Sequence, residues 1–461
     1  MSLIFLTTKI FSQEEPQSCN IASLLCNYDL RNPLPGVIID SIYGNNAIIY
    51  GRSNPSFEDV SYPQNCGVDP NNVVCLTDTS VLKYYVYYAS NYASYNSCPL
   101  PAVILFHEGS FSDCVTFNNK DIRTVCREFA KRGFVAFDVE YRAGVLVDRR
   151  LHTGTRVENT SAQQMLAIYR ACQDVRGAIR SIIKRQIHHS DFPNDPYQID
   201  TNNIFLGGMS AGSVIAMNAM YYQSQTQINQ ISPNTINVMG SINAPWYYGD
   251  TTINFVPKVK GVLNMWGGMF IPTNKLSNPA SFFVGNTNNP PIISFHGMLD
   301  SIFYITYKDV YFSPDSSTTK HINFNTERNC LVNGSAYTLS PNSFGNPDLR
   351  ILGSINIYNM FQGANIPTEL YVDCQMQHGL DQDGPGFSSN FGIALPTNST
   401  AVYQYIVQRA CSFFQVVLNS NAGSLVTTHF TECENYRHGC DAADDNAGCC
   451  NTDDCTTNCR Q

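Results

Sequence analysis

At 461 residues, 43% of them hydrophobic, the chain is long enough for one large domain with additions and rich enough in apolar side chains for a sizeable core. A formal net charge of −9 without any run of Lys or Arg argues against nucleic acid or an anionic membrane surface as partner, and a neutral or cationic substrate is easier to accommodate. No apolar run reaches the length of a transmembrane span, and 17 cysteines are many for a reducing compartment, so the expectation is a secreted protein held partly by disulfides.

Residues 1–35 read as an N-terminal arm. Residues 2–6 have the apolar character of a signal h-region without a basic segment before it, and Cys19 and Cys26 would tie down the remainder of the arm. Sequons at Asn159, Asn333 and Asn398 fit secretion. Residues 46–51 and 81–88 are short β-branched or aromatic segments separated by a turn-rich stretch, which predicts an antiparallel edge. Residues 101–106 form a continuous apolar run, the signature of a strand buried on both faces of a parallel sheet, and lead into His107-Glu108-Gly109-Ser110-Phe111. Apolar residues at helical spacing over 121–132, closed by Gly133, predict a helix; 134–137 is the next buried strand, and 161–186 the longest helical pattern in the chain.

The stretch 203–221 organises the rest. Ile204-Phe205-Leu206 enters Gly208-Met209-Ser210-Ala211-Gly212 and leaves as Val214-Ile215-Ala216-Met217: strand, sharp turn, helix. A serine at such a turn is held in a strained conformation, with Gly208 and Gly212 needed because strand and helix pass too close for side chains. Ser210 would then stand at a helix N-terminus, where the Ala211 amide and the positive end of the helix dipole favour an oxyanion. Strands are expected at 259–266 and 291–296, the second leading to Asp300. A polar, turn-rich insertion should follow over 312–348, then a helix over 354–361, a last strand over 368–374 leading to His378-Gly379, and a terminal helix over 402–417. Alternation of strands and helices predicts an α/β fold with a mostly parallel sheet and helices on both faces, the serine lying at the carboxyl ends of the strands. From Thr431 the composition changes to Cys, Asp and Asn. Its spacing lacks the paired C-x-x-C of zinc sites, and Asp444, Asp445 and Asn446 do not fit an EF-hand loop, so a disulfide knot without metal is expected. The division is thus 1–35 arm, 36–425 catalytic domain, 426–461 Cys-rich tail.

Serine-based ester cleavage needs a base, a carboxylate to orient it, and fixed donors for the oxyanion. Ser210, Asp300 and His378 each come after a strand, in the chain order of an α/β-hydrolase. On His107-Glu108-Gly109-Ser110-Phe111, Gln173-Asp174-Val175-Arg176-Gly177-Ala178-Ile179-Arg180, Gly208-Met209-Ser210-Ala211-Gly212, His296-Gly297 with Asp300, and His378-Gly379, residues 47–417 resemble an α/β-hydrolase carboxylesterase or lipase. The resemblance is to the secreted branch that includes feruloyl-esterase-like and hormone-sensitive-lipase-like enzymes. It implies Ser210 as nucleophile, His378 as base, Asp300 as orienting acid, and the amides of Gly109, Ser110 and Ala211 as oxyanion hole, with no cofactor or metal. The substrate it implies is a small-molecule, lipid or polymeric ester.

Glu108 departs from the family, which has glycine there; dienelactone-hydrolase-like enzymes carry a glutamate in a comparable place, which keeps that reading open. Asp373 and Asp381 are alternative acids, with Asp300 preferred for its distance after a strand. His296 is read as shaping the turn before Asp300 and His107 as anchoring the oxyanion loop. Phe111, Trp246, Tyr247, Tyr248 and Trp266 are candidates for an acyl or aromatic pocket, with core packing as the alternative. Cys126 and Cys172, each in a helical apolar pattern, are candidates for a buried free thiol. A binding or adhesion protein on an inactive hydrolase scaffold, and a peptidase, are the competing functions.

Overall fold

The computed structural model describes residues 48–52, 81–89, 99–109, 111, 120–141, 161–191, 197–231, 241–243, 252–275, 278–283, 285–297, 300, 302–303, 307–309, 349–373, 378, 400–419 and 429–431. Its centre is a nine-stranded sheet. In chain order the strands are β1 (Ile48–Arg52), β2 (Val81–Tyr87), β3 (Leu100–Phe106), β4 (Val135–Val139), β5 (Ile199–Met209), β6 (Val259–Met265), β7 (Met269–Pro272), β8 (Ile292–Gly297), β9 (Tyr307–Asp309), β10 (Leu349–Leu352), β11 (Thr368–Asp373) and β12 (His429–Thr431). The helices are α1 (Lys120–Ala130), α2 (Ser161–Ile187), α3 (Ala211–Tyr221), α4 (Gln225–Ile231), α5 (Ser354–Gly363) and α6 (Thr400–Asn419).

The sheet runs β1-β2-β4-β3-β5-β6-β8-β11-β12. β1 pairs antiparallel with β2, and β2 antiparallel with β4; every other pairing in it is parallel. This is the α/β-hydrolase arrangement expected from the sequence, with its antiparallel edge at the start of the chain. β3 shows why a continuous apolar run makes a central strand. All its residues are buried, with Ala102, Ile104 and Phe106 in the core on one face and Val103 and Leu105 in the core on the other. The first core is built with α2, α3 and α5. The second is covered by α1 and α6, where Phe414 stacks on Phe205 at 4.0 Å between ring centres and Phe129 and Phe134 close around it. Each such buried aromatic contributes on the order of 2 kcal/mol.

Three elements lie outside the sequence-based expectation. β7, β10 and β9 form a separate antiparallel sheet, each strand only three or four residues long and joined by pairing across a long stretch of chain. The short α4 comes directly after α3. β12 pairs parallel with β11, so residues 429–431, assigned to the tail, are the ninth strand of the main sheet. The arm over 1–35, the insertion over 312–348 and the cysteine-rich stretch beyond Thr431 lie outside the described residues. Cys126 and Cys172 are both buried and free, and burial pushes the Cys172 thiol up to about 12. Among the described residues no helix is long and apolar enough to cross a membrane.

Candidate active site

β5 ends at Met209 and α3 begins at Ala211, leaving Ser210 alone in the turn with φ 49° and ψ −116°. An L-residue adopts that conformation only when its surroundings enforce it. Here the Ser210 amide donates to the Met265 carbonyl at 2.9 Å, which fastens the turn to the end of β6. A Cβ at Gly208 would lie 2.3 Å from the Gly212 carbonyl carbon, and one at Gly212 would lie 2.1 Å from the Phe106 carbonyl oxygen. The two glycines thus let α3 pass directly over β5 and β3.

His378 brings the parts together. Its Nε2 lies 2.8 Å from Ser210 Oγ and its Nδ1 lies 2.7 Å from Asp300 Oδ2. A carboxylate only accepts, so Nδ1 carries the proton and Nε2 offers its lone pair to the serine hydroxyl. Asp300 Oδ1 accepts the amides of Ile302 and Phe303 at 2.8 and 2.9 Å. Burial alone would raise the Asp300 carboxyl; donors from His296 and His378 outweigh it and hold the group down at about 2. Of the alternative acids, Asp373 ends β11 and Asp381 lies outside the described residues, whereas Asp300 is the carboxylate in contact with His378.

β3 lies beside β5, with Phe106 in register with Gly208, so the segment after β3 emerges next to the elbow. There Gly109 has φ 128° and Phe111 φ 58°. His107 is buried, stacks on Tyr141 at 4.4 Å and donates from Nδ1 to the Glu108 carbonyl at 2.6 Å. Burial lowers its pKa to about 4 against the raising effect of that bond, so it is neutral and serves as the expected anchor. The Tyr141 hydroxyl donates to the His107 carbonyl at 3.0 Å, pinning the same segment. Glu108 is half-buried, and its charge adds to the burial that raises the Tyr141 phenol. Ala211 opens α3, so its amide is among the first-turn donors with no partner inside the helix. Ser110, Trp246, Tyr247 and Tyr248 lie outside the described residues.

Two pocket candidates are placed in packing. Trp266 is fully buried in the core beneath α1 and α6 with Leu263 and Met265; strand alternation would have put it on the other face, but β6 ends at Met265 and Trp266 has a positive φ of 42°. Phe111 is buried with its ring edge-on to Tyr141 at 6.3 Å.

Sequence reasoning placed His296 at the turn before Asp300 and missed the groups behind it. His296 Nε2 lies 3.1 Å from Asp300 Oδ2 and 2.8 Å from the Phe303 carbonyl, and its Nδ1 lies 2.8 Å from Ser354 Oγ. Asn264 Nδ2 donates to Ser354 Oγ at 3.0 Å and to Ser294 Oγ at 3.2 Å, while Asn264 Oδ1 accepts from Ser213 Oγ at 2.6 Å and from the Gly267 amide at 3.0 Å. The available signal was a polar residue inside an apolar strand: Asn264 in Val262-Leu263-Asn264-Met265 and Ser294 in Ile292-Ile293-Ser294-Phe295.

No protein-family model and no curated protein sequence matches the chain. Among solved structures, it is similar to esterase 2 of Thermogutta terrifontis phosphonylated by cyclosarin, at 17% identity and a TM-score of 0.41, over 82% of this chain and 96% of that one. The native form of that thermophilic esterase gives 16% and 0.40, over 80% and 95%. MGS-M1, an α/β hydrolase enzyme from a Medee basin deep-sea metagenome library, gives 12% and 0.36, over 80% and 99%. The strand order and the Ser210–His378–Asp300 geometry stand independently of these likenesses.

Proposed function

We propose that this chain is a serine hydrolase of the α/β-hydrolase carboxylesterase and lipase group. The observation that carries the reading is the unbroken hydrogen-bonded line from Asp300 Oδ2 through His378 to Ser210 Oγ, at 2.7 and 2.8 Å, with the serine held on a strained elbow at the start of α3. His378 Nε2 takes the Ser210 proton as Oγ attacks the ester carbonyl, and Asp300 stabilises the imidazolium that forms. The amides of Ala211, Gly109 and Ser110, with the N-terminal end of α3, receive the oxyanion. His378 then returns the proton to the departing alcohol oxygen, leaving an acyl-enzyme that water hydrolyses by the same route in reverse. His107 and Tyr141 keep the segment carrying Gly109 in place. None of these steps calls on a cofactor.

The substrate is a neutral small-molecule, lipid or polymeric ester, in keeping with the acidic net charge, and the feruloyl-esterase-like or hormone-sensitive-lipase-like branch is the reading that the sequence motifs support. Secretion is part of the proposal, supported by the number of cysteines. The test is a panel of nitrophenyl esters of increasing acyl length with methyl ferulate and an acetylated sugar, alongside labelling by a fluorophosphonate. Turnover of at least one ester, with the label on Ser210, is expected. Folded protein that neither turns over nor labels would leave a binding scaffold instead.

A further inference from the structure

The hydrogen bonds behind Asp300 run in one direction. The amide of Gly267 is a backbone donor and cannot reverse, so the Asn264 atom that faces it is the oxygen, Oδ1. Nδ2 therefore faces Ser354 and donates to its oxygen. On the other side the Phe303 carbonyl can only accept, so His296 carries its proton on Nε2, and in the neutral imidazole Nδ1 is the lone-pair nitrogen to which the Ser354 hydroxyl donates. The Nε2 proton points to the Phe303 carbonyl at 2.8 Å, and Nε2 lies 3.1 Å from Asp300 Oδ2, close enough to act on the carboxylate. Asn264 thereby has all four of its hydrogen-bonding positions filled, with Ser213 Oγ and Ser294 Oγ as the remaining partners. Ser213, Asn264, Ser294, His296, Asp300 and Ser354 are each buried to 99% or more, so water does not compete for these bonds.

We propose that His296 is a positioning residue of the reaction proposed above: a neutral imidazole locked as an Nε2–H donor, sharing the Asp300 carboxylate with the base His378 and thereby setting how strongly that carboxylate holds a protonated His378. A second donor on Oδ2 draws negative charge away from the side facing His378 Nδ1 and fixes the oxygen in place. The titratable groups acting on Asp300 are His296 and His378, and their combined effect is the depressed carboxyl described above. The consequence reaches the nucleophile: a carboxylate relieved of part of its charge stabilises the imidazolium less, so His378 sheds its proton at lower pH and stays a competent base further into acid. Through Ser213, three residues after Ser210 on α3, the same chain of bonds ties the acid's loop to the elbow helix.

The inference rests on the serine-hydrolase reading, and the test separates the two. Full-length His296→Ala, His296→Gln and Ser354→Ala are compared with wild type on a nitrophenyl ester from pH 4.5 to 8, with melting curves to establish that each is folded. His296→Ala should lower kcat by about tenfold to a hundredfold, the scale of a lost partner that orients a reacting group, with KM little changed. Its acid limb should move upward by about half a pH unit or more. His296→Gln, whose amide nitrogen reaches the place of Nε2, should restore most of kcat and return the limb, and Ser354→Ala should move both in the same direction as His296→Ala by less. An active wild type whose folded His296→Ala enzyme keeps the wild-type acid limb, or is not rescued by Gln, overturns the proposal while leaving the triad intact. If His296→Ala does not fold, Ser354→Ala decides in the same terms. A wild type that neither turns over nor labels at Ser210 overturns the serine-hydrolase reading itself and His296's role in it.

Discussion

The two ends of the triad are held by opposite means. Ser210 is held by contact: backbone pressed on backbone at Gly208 and Gly212, a positive φ, and a single amide bond to Met265. Asp300 is held by polarity: two amides on Oδ1, two imidazoles reaching Oδ2, and a buried amide and hydroxyls behind one of those imidazoles. The nucleophile needs a fixed direction and little else, so sterics suffice. The acid must stay ionised out of water, and only donors achieve that. Steric support is backbone pressed on backbone, within the elbow at Gly208 and against the end of β3 at Gly212, whereas donor support is gathered from side chains on β6, β8, α3 and α5.

The comparison breaks most sharply at the chemistry itself. Ser210→Ala and His378→Ala should each lower turnover by about 10⁶-fold and the double variant by little more, whereas Asp300→Ala should cost about 10⁴-fold, as members of one mechanism do. Turnover and fluorophosphonate labelling check this, and additive losses would separate the three residues. The next contrast is in stability. Gly212→Ala should destabilise by about 3 kcal/mol or more in denaturant melts, since the clash is with backbone that cannot yield. Asn264→Leu should cost about 2 kcal/mol, by stranding the Gly267 amide and hydroxyls on either side. An Asn264→Leu protein as stable as wild type would show the network to be dispensable to the fold.

A third contrast is with pH. Turnover should fall on the acid side, because a protonated His378 cannot accept the Ser210 proton. Asp300 titrates elsewhere. Its folded pKa of about 2 lies below the ordinary 3.8, so its contribution to stability is complete above about pH 4 and is lost as the pH falls through about 2. Activity that stayed level down to pH 4.5 would remove His378 as base. The smallest effect is expected at the tail. Truncation after Thr431 keeps β12 and should change turnover by no more than about twofold, while truncation before 429 leaves β11 as an unpaired edge and should lower solubility. Loss of activity in a folded protein ending at Thr431 would give the cysteine-rich segment a part in the site.

The same division separates the parts legible in the sequence from those that were not. β3, the elbow and α6 were readable because the constraint is local: a run buried on both faces, glycines two residues either side of a serine, apolar residues at helical spacing. The three residues that the structure brings within hydrogen-bond reach, Ser210, His378 and Asp300, were readable because each comes after a strand, in order. Ser213 and Ser354 carry no local signal, since a serine near a helix start is unremarkable until Asn264 is found beside it. β7, β9 and β10 are too short for any period to show, and their pairing is set by position rather than pattern. Trp266 resembled a pocket residue because nothing in its neighbours says which side of β6 it continues.

That placement of Trp266 has an optical consequence. Trp266, one of two tryptophans in the chain, is wholly buried, its indole nitrogen has no hydrogen-bond partner among the described residues, and its backbone amide is bonded to the Phe295 carbonyl one residue past the Met265 carbonyl that holds Ser210. An indole in such a dry environment emits at short wavelength. With Trp246 replaced by Phe, the protein would carry a single tryptophan stationed between the elbow and the strand that leads to Asp300, which, excited selectively at wavelengths that tyrosine does not absorb, would report in real time whether acylation of the serine disturbs the sheet beneath it.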